Sequence, residues 1–325
     1  MKSLCVFSGG LDSILAAGII RDQGIDVLGL FFETPFFTSQ KARESAKSMG
    51  LPFKVINITE RHLDVVKSPK HGYGGNMNPC IDCHALMFRI AGELLEKEGA
   101  SFVVTGEVLG QRPMSQNKKS LDIVASESGI ADLLLRPLSA KRLSPTIPEK
   151  SQWVKRDLLM GFQGRSRKPQ MALATKMGIK EYPASAGGCL LTEQVFSRRL
   201  KDLFTCQDNP EIREIELLKF GRHFRLGPNT KLIVGRNKSE NDIIGSLAGD
   251  HDLVLTPGEV PGPTVLVSGY SSNDSDSLHL AATVTAAYSD ASENGSTQIK
   301  VDGQTEHKIL INEVPEKETL KKYMI

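Results

Sequence analysis

The sequence predicts an α/β chain in which a doubly wound parallel sheet is followed by a second, smaller α+β domain. Three observations carry this reading. Short apolar runs alternate with helix-like stretches through the first half, a glycine turn joins the first such run to the first helix, and the second half changes to short strands, two helices and a closing hairpin. Parallel strands buried on both faces read as continuous apolar runs, and the helices between them supply the crossovers that parallel pairing needs.

Residues 4–7 form the first predicted strand and residues 14–20 the helix that follows. Residues 26–32 read as a buried parallel strand, and 39–49 have helical composition that stops at Gly50, a residue suited to a helix end. Residues 53–58 read as strand and 61–66 as a short helix. A glycine- and asparagine-rich loop over 71–79 leads into an amphipathic helix over about 82–97, and 101–105 and 133–138 are further strands. The second unit reads as strands 216–220 and 231–234, a helix over 239–247, strands 252–255 and 264–267, and a helix around 277–288. A hairpin pairs 298–301 with 308–311, with Asp302 and Gly303 near its turn, and the Ser/Asn/Asp stretch 271–277 is a loop. The expected division is a first domain over 1–182 that includes a basic helical extension, a linker over 183–205 carrying Cys189, and a second domain over 206–325.

A chain of 325 residues can hold two cores of ordinary size. Its 40% hydrophobic and 24% charged residues are those of a globular protein in water. A net charge of only +2 does not announce a polyanionic partner, so local clustering must make that case. No apolar run reaches the roughly 18 residues of a membrane span. The N-terminus leads into the first strand without a signal-peptide layout, so a cytoplasmic, reducing setting and free thiols are expected for the five cysteines.

The turn itself is Ser8-Gly9-Gly10-Leu11-Asp12-Ser13. Its glycines let backbone amides approach a phosphate, and the helix N-terminus adds unpaired N–H groups and a positive dipole end. Asp12 and Ser13 stand where short polar side chains also cap free amides, and strand, Gly-Gly and capped helix together also occur as ordinary α/β architecture. There is no G-x-x-x-x-G-K-[ST], so no lysine reaches the β/γ phosphates. The turn resembles the pyrophosphate loop (PP-loop) of ATP pyrophosphatases, SGGxDS, whose fold is adenine nucleotide alpha hydrolase-like. That resemblance implies ATP and Mg²⁺, with Ser8, Gly9, Gly10, Asp12 and Ser13 at the β,γ-pyrophosphate, attack at the α-phosphate, and adenylation of a substrate oxygen. It leaves the substrate open, since tRNA thiolases, tRNA lysidine synthetase, NAD synthetase and GMP synthetase share the loop. Thr105 and Gly106 fall at the carboxyl end of a predicted strand, where nucleotides bind in open α/β sheets.

Cys80 and Cys83 lie in Asn78-Pro79-Cys80-Ile81-Asp82-Cys83 at the start of the amphipathic helix, and Cys189 ends the glycine-rich stretch Ala184-Ser185-Ala186-Gly187-Gly188-Cys189. Two thiols one helical turn apart can ligate a common metal, and a third from a loop can complete a face with one position left open. A closed zinc site wants a fourth ligand, and His84 beside Cys83 is awkwardly placed to be it. Other readings of these residues stay open: the formal C-x-x-C-H pattern of c-type haem attachment, which requires export, and a redox pair at a helix N-terminus, which leaves Cys189 unexplained. Cys5 reads as a small core residue and Cys206 as a lone thiol.

Taken together, SGGLDS, NPCIDC and GGC resemble the tRNA thiouridine synthetases of the 2-thiouridylase and 4-thiouridine-synthase type, over roughly the first 195 residues. In the persulfide-using members the first position of the C-x-x-C is acidic; here it is Cys80, as in the iron–sulfur-dependent thiolases. The resemblance implies that Cys80, Cys83 and Cys189 hold a [4Fe–4S] cluster and act with Asp12 on tRNA, with sulfide or a persulfide carrier as sulfur donor. The chain departs from that family after the fourth strand, where Thr105-Gly106-Glu107-Val108-Leu109-Gly110-Gln111-Arg112-Pro113 replaces the usual T-G-H stretch.

The second unit resembles the NFACT-R type of RNA-binding domain, through Leu232-Ile233-Val234-Gly235-Arg236-Asn237, Asn241-Asp242, Asp252-Leu253-Val254-Leu255 and Val260-Pro261-Gly262. Arg222, Arg225 and Arg236, with Lys231 and Lys238, are its candidate phosphate contacts. Residues 141–180 place ten Lys and Arg against Glu149 and Asp157, which suits a polyanion as well as it suits a solvated helical face; Arg165, Arg167 and Lys168 are the candidates there. The expected function is ATP-dependent thiolation of a tRNA uridine. The alternatives are persulfide thiolation by Cys83 and Cys189 without a cluster, an adenylating enzyme without sulfur chemistry, and an RNA-binding protein that retains the loop.

Overall fold

A computed structural model describes residues 1–183, 188–271, 274–292, 295–303 and 306–325, and the chain divides into two units, Met1–Glu193 and Gln194–Ile325. The first unit runs β1 (Lys2–Val6), α1 (Leu11–Arg21), β2 (Asp26–Glu33), α2 (Gln40–Ser48), β3 (Phe53–Asn57), α3 (Thr59–Lys67), α4 (Cys80–Glu93), β4 (Phe102–Thr105), α5 (Lys118–Ser128), β5 (Leu134–Leu135), α6 (Ile147–Lys150) and α7 (Lys168–Lys176). The five strands pair in parallel in the order β3-β2-β1-β4-β5. The order reverses between β1 and β4, so the carboxyl ends of these two strands open onto the crevice where such sheets bind ligands.

The two-residue strand period sorts the core. Cys5, Phe7, Phe102 and Val104 face α1, α2 and α7, whereas Leu4, Val103 and Leu134 face Leu86, Phe88 and Ile90 of α4 and Val124 of α5. Helix α4 starts at Cys80 rather than near Asp82 and ends at Glu93, with turns following it, so both thiols of the C-x-x-C lie in its first turn. Helix α5 has no counterpart in the sequence reading. The Asn117 side chain accepts from the Ser120 amide at 2.9 Å, and Gly129 closes the helix in the left-handed region at φ +75°.

The second unit runs α8 (Gln194–Cys206), α9 (Ile212–Leu217), β6 (Arg222–Arg225), β7 (Lys231–Val234), α10 (Lys238–Ser246), β8 (Leu253–Pro257), β9 (Val265–Ser268), α11 (Ser275–Ala287), β10 (Thr297–Asp302), β11 (His307–Ile311) and α12 (Lys317–Leu320). Its six strands are antiparallel in the order β11-β10-β8-β9-β7-β6. Phe224, Leu232 and Val234 pack with Ala281 and Val284 of α11, while Ile233 and Leu266 meet Leu217 of α9 and Ile244 of α10.

Two expectations need correction. The predicted strand at 216–220 is the end of α9 and a turn, because Glu211 and Glu214 form a capping box that starts a helix. Residues 194–205, assigned to a linker, form with Cys206 helix α8, which buries Phe196, Leu200 and Leu203 at helical spacing. The β10–β11 hairpin is present, with Ile299 opposite Ile309; of the stretch 271–277 expected as loop, Ser275 to Ser277 open α11, and residues 272–273, like 304–305 of the hairpin connection, lie outside the described residues. Among the described residues no helix is long and apolar enough to cross a membrane.

Candidate nucleotide and thiol site

The glycine turn leaves β1 at the switch point and is moulded against its neighbours. Gly9 has φ +76°, and a Cβ there would stand 2.7 Å from the Ala42 Cα and 3.0 Å from the Lys41 carbonyl oxygen, so α2 can approach this closely only because residue 9 lacks a side chain. Ser45 Oγ donates to the Gly9 carbonyl at 3.0 Å and fixes the contact. Gly10 is the N-cap of α1 and has no side-chain cap bond. Ser13 Oγ donates back to the Gly10 carbonyl at 2.8 Å, and Asp12 Oδ2 accepts from Gln111 Nε2 at 2.8 Å. Neither therefore caps the helix in the way the sequence allowed. Asp12 Oδ1 is buried without a hydrogen-bond partner, an acceptor suited to a divalent cation or a ligand hydroxyl. From the β4 side, Gly106 presses its backbone onto the same turn: a Cβ on it would lie 2.6 Å from the Asp12 carbonyl carbon and the Ser13 nitrogen. Thr105 is buried beside it.

Glu107, the residue that departs from T-G-H, is a hub. It is 4% exposed; Oε2 accepts from Arg136 Nε at 2.8 Å, and Oε1 lies 2.8 Å from His84 Nδ1. Burial pushes its carboxyl up, but the Arg136 guanidinium and His84 outweigh that and hold it below the ordinary carboxylate value. His84 follows Cys83 on α4, so this pair ties the cysteine helix to the strand end that touches the nucleotide turn.

The three thiols lie within electrostatic reach of one another: Cys80 and Cys189 both act on Cys83, and Cys80 acts on Cys189. Burial pushes the Cys83 thiol well up, and the two other cysteines and Asp82 add to it. Burial likewise raises Cys189 to about 11, opposed by the Leu191 and Thr192 amides and by Arg112. Asn78 Nδ2 donates to Cys80 Sγ at 3.3 Å. The Cys189 segment is seated by the Leu190 amide donating to the Phe36 carbonyl at 3.1 Å and by Asn76 Nδ2 donating to the Thr192 carbonyl at 2.8 Å. Residues 184–187 of its glycine-rich stretch lie outside the described residues.

His62, missed from the sequence, is fully buried with Nε2 3.0 Å from Cys83 Sγ, and the Phe36 and Phe37 rings pack on it at 5.6 and 5.5 Å. Burial lowers its pKa to about 4, so the imidazole is neutral at physiological pH. Its only sequence signal was position, since Thr59, His62 and Val66 form one buried stripe of α3.

Donor chemistry suits a soft cationic centre here. Ionised thiols this close repel one another, and a bound cation removes the repulsion and takes them as thiolates. The side chains do not converge on one point as placed: among the described residues no three His, Cys, Asp or Glu groups are disposed to hold a metal ion.

The basic candidates divide. Arg165 and Lys168 are exposed, and Arg167 occupies the N-cap position of α7 without a side-chain capping bond. Arg156 is spent on Glu149, and Lys141 on the Asp157 carbonyl. In the second unit Arg225 grips Asp202 with two bonds of 3.1 and 2.6 Å, Arg236 pairs with Glu240, and Arg222 lies 5.0 Å from the centre of the Tyr288 ring.

Comparison with known proteins separates along the same lines. Residues 1–142 match the family model for the thiamine biosynthesis protein ThiI, and residues 221–324 match that for the NFACT protein RNA binding domain. A probable tRNA sulfurtransferase of Thermoanaerobacter sp. (strain X514) is 27% identical over 148 residues, 42% of this chain and 36% of that protein. The tRNA-specific 2-thiouridylase MnmA of Listeria welshimeri is 25% identical over 233 residues, 66% of this chain and 59% of that protein. A solved 4-thiouridine synthetase–RNA complex with bound ATP shares 20% identity at a TM-score of 0.39, covering 66% of this chain and 52% of that one. The chain thus spans less than two thirds of the length of each of these relatives. The first unit is thus similar to the ThiI family over residues 1–142, and the second to the NFACT RNA binding domain over residues 221–324.

Proposed function

We propose that this protein is a tRNA sulfurtransferase that spends ATP to exchange a uridine carbonyl oxygen for sulfur. One observation supports this above others: residues 105–111 touch both halves of the site, Gly106 and Gln111 at the nucleotide turn and Glu107 at His84, next to Cys83. A carbonyl oxygen is a poor leaving group. In the proposed first step it attacks the α-phosphate of ATP, pyrophosphate departs, and the oxygen carries AMP. The amides at the start of α1, uncapped by the Gly10 side, stabilise charge on the departing pyrophosphate. Mg²⁺, when bound, would neutralise phosphate charge, with Asp12 Oδ1 as the protein oxygen open to it. Sulfur then adds to the activated carbon, and AMP leaves with the former carbonyl oxygen. The base reaches such a site by leaving its stack.

Cys80, Cys83 and Cys189 would hold a [4Fe–4S] cluster, which when bound supplies an open iron to hold the incoming sulfur. Around it, Asn78 orients Cys80, and Phe36 and Asn76 seat the Cys189 segment. The test is unmodified tRNA incubated with ATP and sulfide under anaerobic conditions, reading pyrophosphate and thiolated nucleosides together. Both are expected in equal amount, and each of Cys80→Ser, Cys83→Ser and Cys189→Ser is expected to stop thiolation. Thiolation that survives in any one of the three would remove the three-ligand reading, and amine addition in place of sulfur would remove the thiolation itself.

A second reading is supported by the pairing of His62 Nε2 with Cys83 Sγ. His62 Nε2 would orient the Cys83 sulfur, and Cys83, once it has lost its proton, would attack the inner sulfur of a persulfide on Cys189, releasing hydrosulfide and leaving a disulfide for an external thiol to reduce. Full activity of iron-free protein supplied with a persulfide donor would favour it.

A further inference from the structure

Asp12 does not choose its own orientation. Its Oδ2 accepts from Gln111 Nε2 at 2.8 Å, and Gln111 Oε1 in turn accepts from Gln170 Nε2 at 3.0 Å. Gln170 is 1% exposed on α7, a helix that packs against α1. The two amides therefore form a directional chain. A glutamine amide can present either its donor or its acceptor end, and the neighbour decides which. Asp12 has only acceptors to offer and Gln170 presents N–H to the Gln111 oxygen, so both neighbours set Gln111 with its NH₂ toward Asp12; Gln170 Oε1 is itself buried without a hydrogen-bond partner. The carboxylate is then held by one oxygen, while Oδ1 is left buried and unpartnered. None of the motifs in the nucleotide turn contains either glutamine.

We propose that Gln111 and Gln170 are positioning residues for the nucleotide: together they fix the Asp12 carboxylate so that Oδ1 faces the triphosphate and its divalent cation. This rests on the reading of the turn as an ATP site. Neither glutamine touches the nucleotide; Gln111 acts through Asp12, and Gln170 acts through Gln111. The arrangement supplies a preorganised acceptor whose rotamer is paid for on folding and not on binding.

Polarity of the chain gives a test that general loosening cannot imitate. Gln170→Glu keeps shape and volume but has only acceptors, so Gln111 must flip to donate toward residue 170 and present its oxygen to Asp12. Two oxygens then face each other two residues away from the substitution. Gln170→Met keeps the volume without either polarity, leaving Gln111 free to stay as it is. Full-length protein is titrated with a fluorescent ATP analogue in the presence of Mg²⁺, and thermal melting is recorded for each variant. The expected order of affinity is wild type, then Gln170→Met weaker by a few-fold, then Gln170→Glu and Gln111→Glu weaker by about tenfold or more, the scale of a hydrogen bond to a charged group. Pyrophosphate release under the same substitutions is expected to show the loss in KM for ATP. If Gln170→Glu unfolds the protein, Gln111→Glu against Gln111→Ala carries the same comparison, with the glutamate the worse of the two. Equal binding by wild type and all variants would overturn the positioning role. Failure of the wild type to bind the analogue would instead overturn the ATP site on which it rests.

Discussion

Replacing Glu107 by glutamine isolates the link between the cysteine helix and the nucleotide turn. The carboxylate is 4% exposed, and the Arg136 side chain that bonds it at 2.8 Å is 9% exposed, so removing the negative charge leaves a buried guanidinium without compensation. Breaking such a pair from one side costs about 3–5 kcal/mol. Glutamine keeps one acceptor oxygen, which places the expected loss near the lower end, about 3 kcal/mol. The assay is built in: the sequence has one tryptophan, Trp153, which sits in the first unit with its ring 6.3 Å from that of Phe102, so its fluorescence reports urea unfolding of this unit. Glu107→Gln with Arg136→Met is expected to recover much of the loss, because the apolar pair leaves no orphaned charge. The sign with pH follows from the lowered carboxyl pKa. The stabilisation is complete above the unfolded value near about 4.3 and is lost as pH falls through the folded one, so the variant is expected to have a flatter acid limb. A midpoint shift below about 0.5 kcal/mol, or a double variant no better than the single, would refute the buried-pair reasoning.

Three further outcomes are expected. Gly9→Ala meets a left-handed φ that costs a residue with a side chain about 1–2 kcal/mol and a Cβ contact of 2.7 Å with α2, so ATP affinity should fall at least tenfold; unchanged titration with ATP would contradict the turn geometry. In metal-free protein, His62 with a pKa near 4 takes no proton that the unfolded imidazole takes below about 6.5, so stability should fall by up to roughly 3 kcal/mol as pH drops through that window; His62→Asn should flatten the slope, and equal slopes would contradict its burial. Arg165→Glu with Lys168→Glu should weaken tRNA binding and lower the salt dependence by about one counterion per lost phosphate contact, measured by filter binding across salt; an unchanged slope would remove these residues from the RNA surface.

The first unit was legible because its signals are local. A turn that needs Gly9 and Gly10, apolar runs long enough to be buried on both faces, and two cysteines in one helical turn are all written in consecutive residues. What was missed depends on partners far along the chain. Helix α5 carries its Asn117 cap and Gly129 stop in plain view, but its apolar face is only Leu121 and Val124, too narrow to stand out. The stretch 216–220 looked like a strand, and the capping box at Glu211 and Glu214 was the stronger signal. Strand β6, Arg-His-Phe-Arg, gave no alternating signal, because the fully buried His223 and Phe224 are consecutive and lie between two arginines. His62, Gln111 and Gln170 join the site across 21, 99 and 59 residues of sequence, and single-chain spacing carries no trace of such meetings. The glutamate hub lay in the one segment that departs from the family pattern. That departure was visible in the sequence; that Glu107 turns toward His84 and Arg136 was not.

Oxygen tracing decides whether ATP activates the base. Unmodified tRNA transcripts carrying ¹⁸O at uridine O2 or O4 are thiolated with ATP and sulfide, and the AMP released is weighed by mass spectrometry. If the carbonyl oxygen is adenylated and then displaced by sulfur, one ¹⁸O should appear in AMP for each thiouridine formed, from only one of the two labelled transcripts. Thiouridine accompanied by unlabelled AMP, or by ADP, would contradict it.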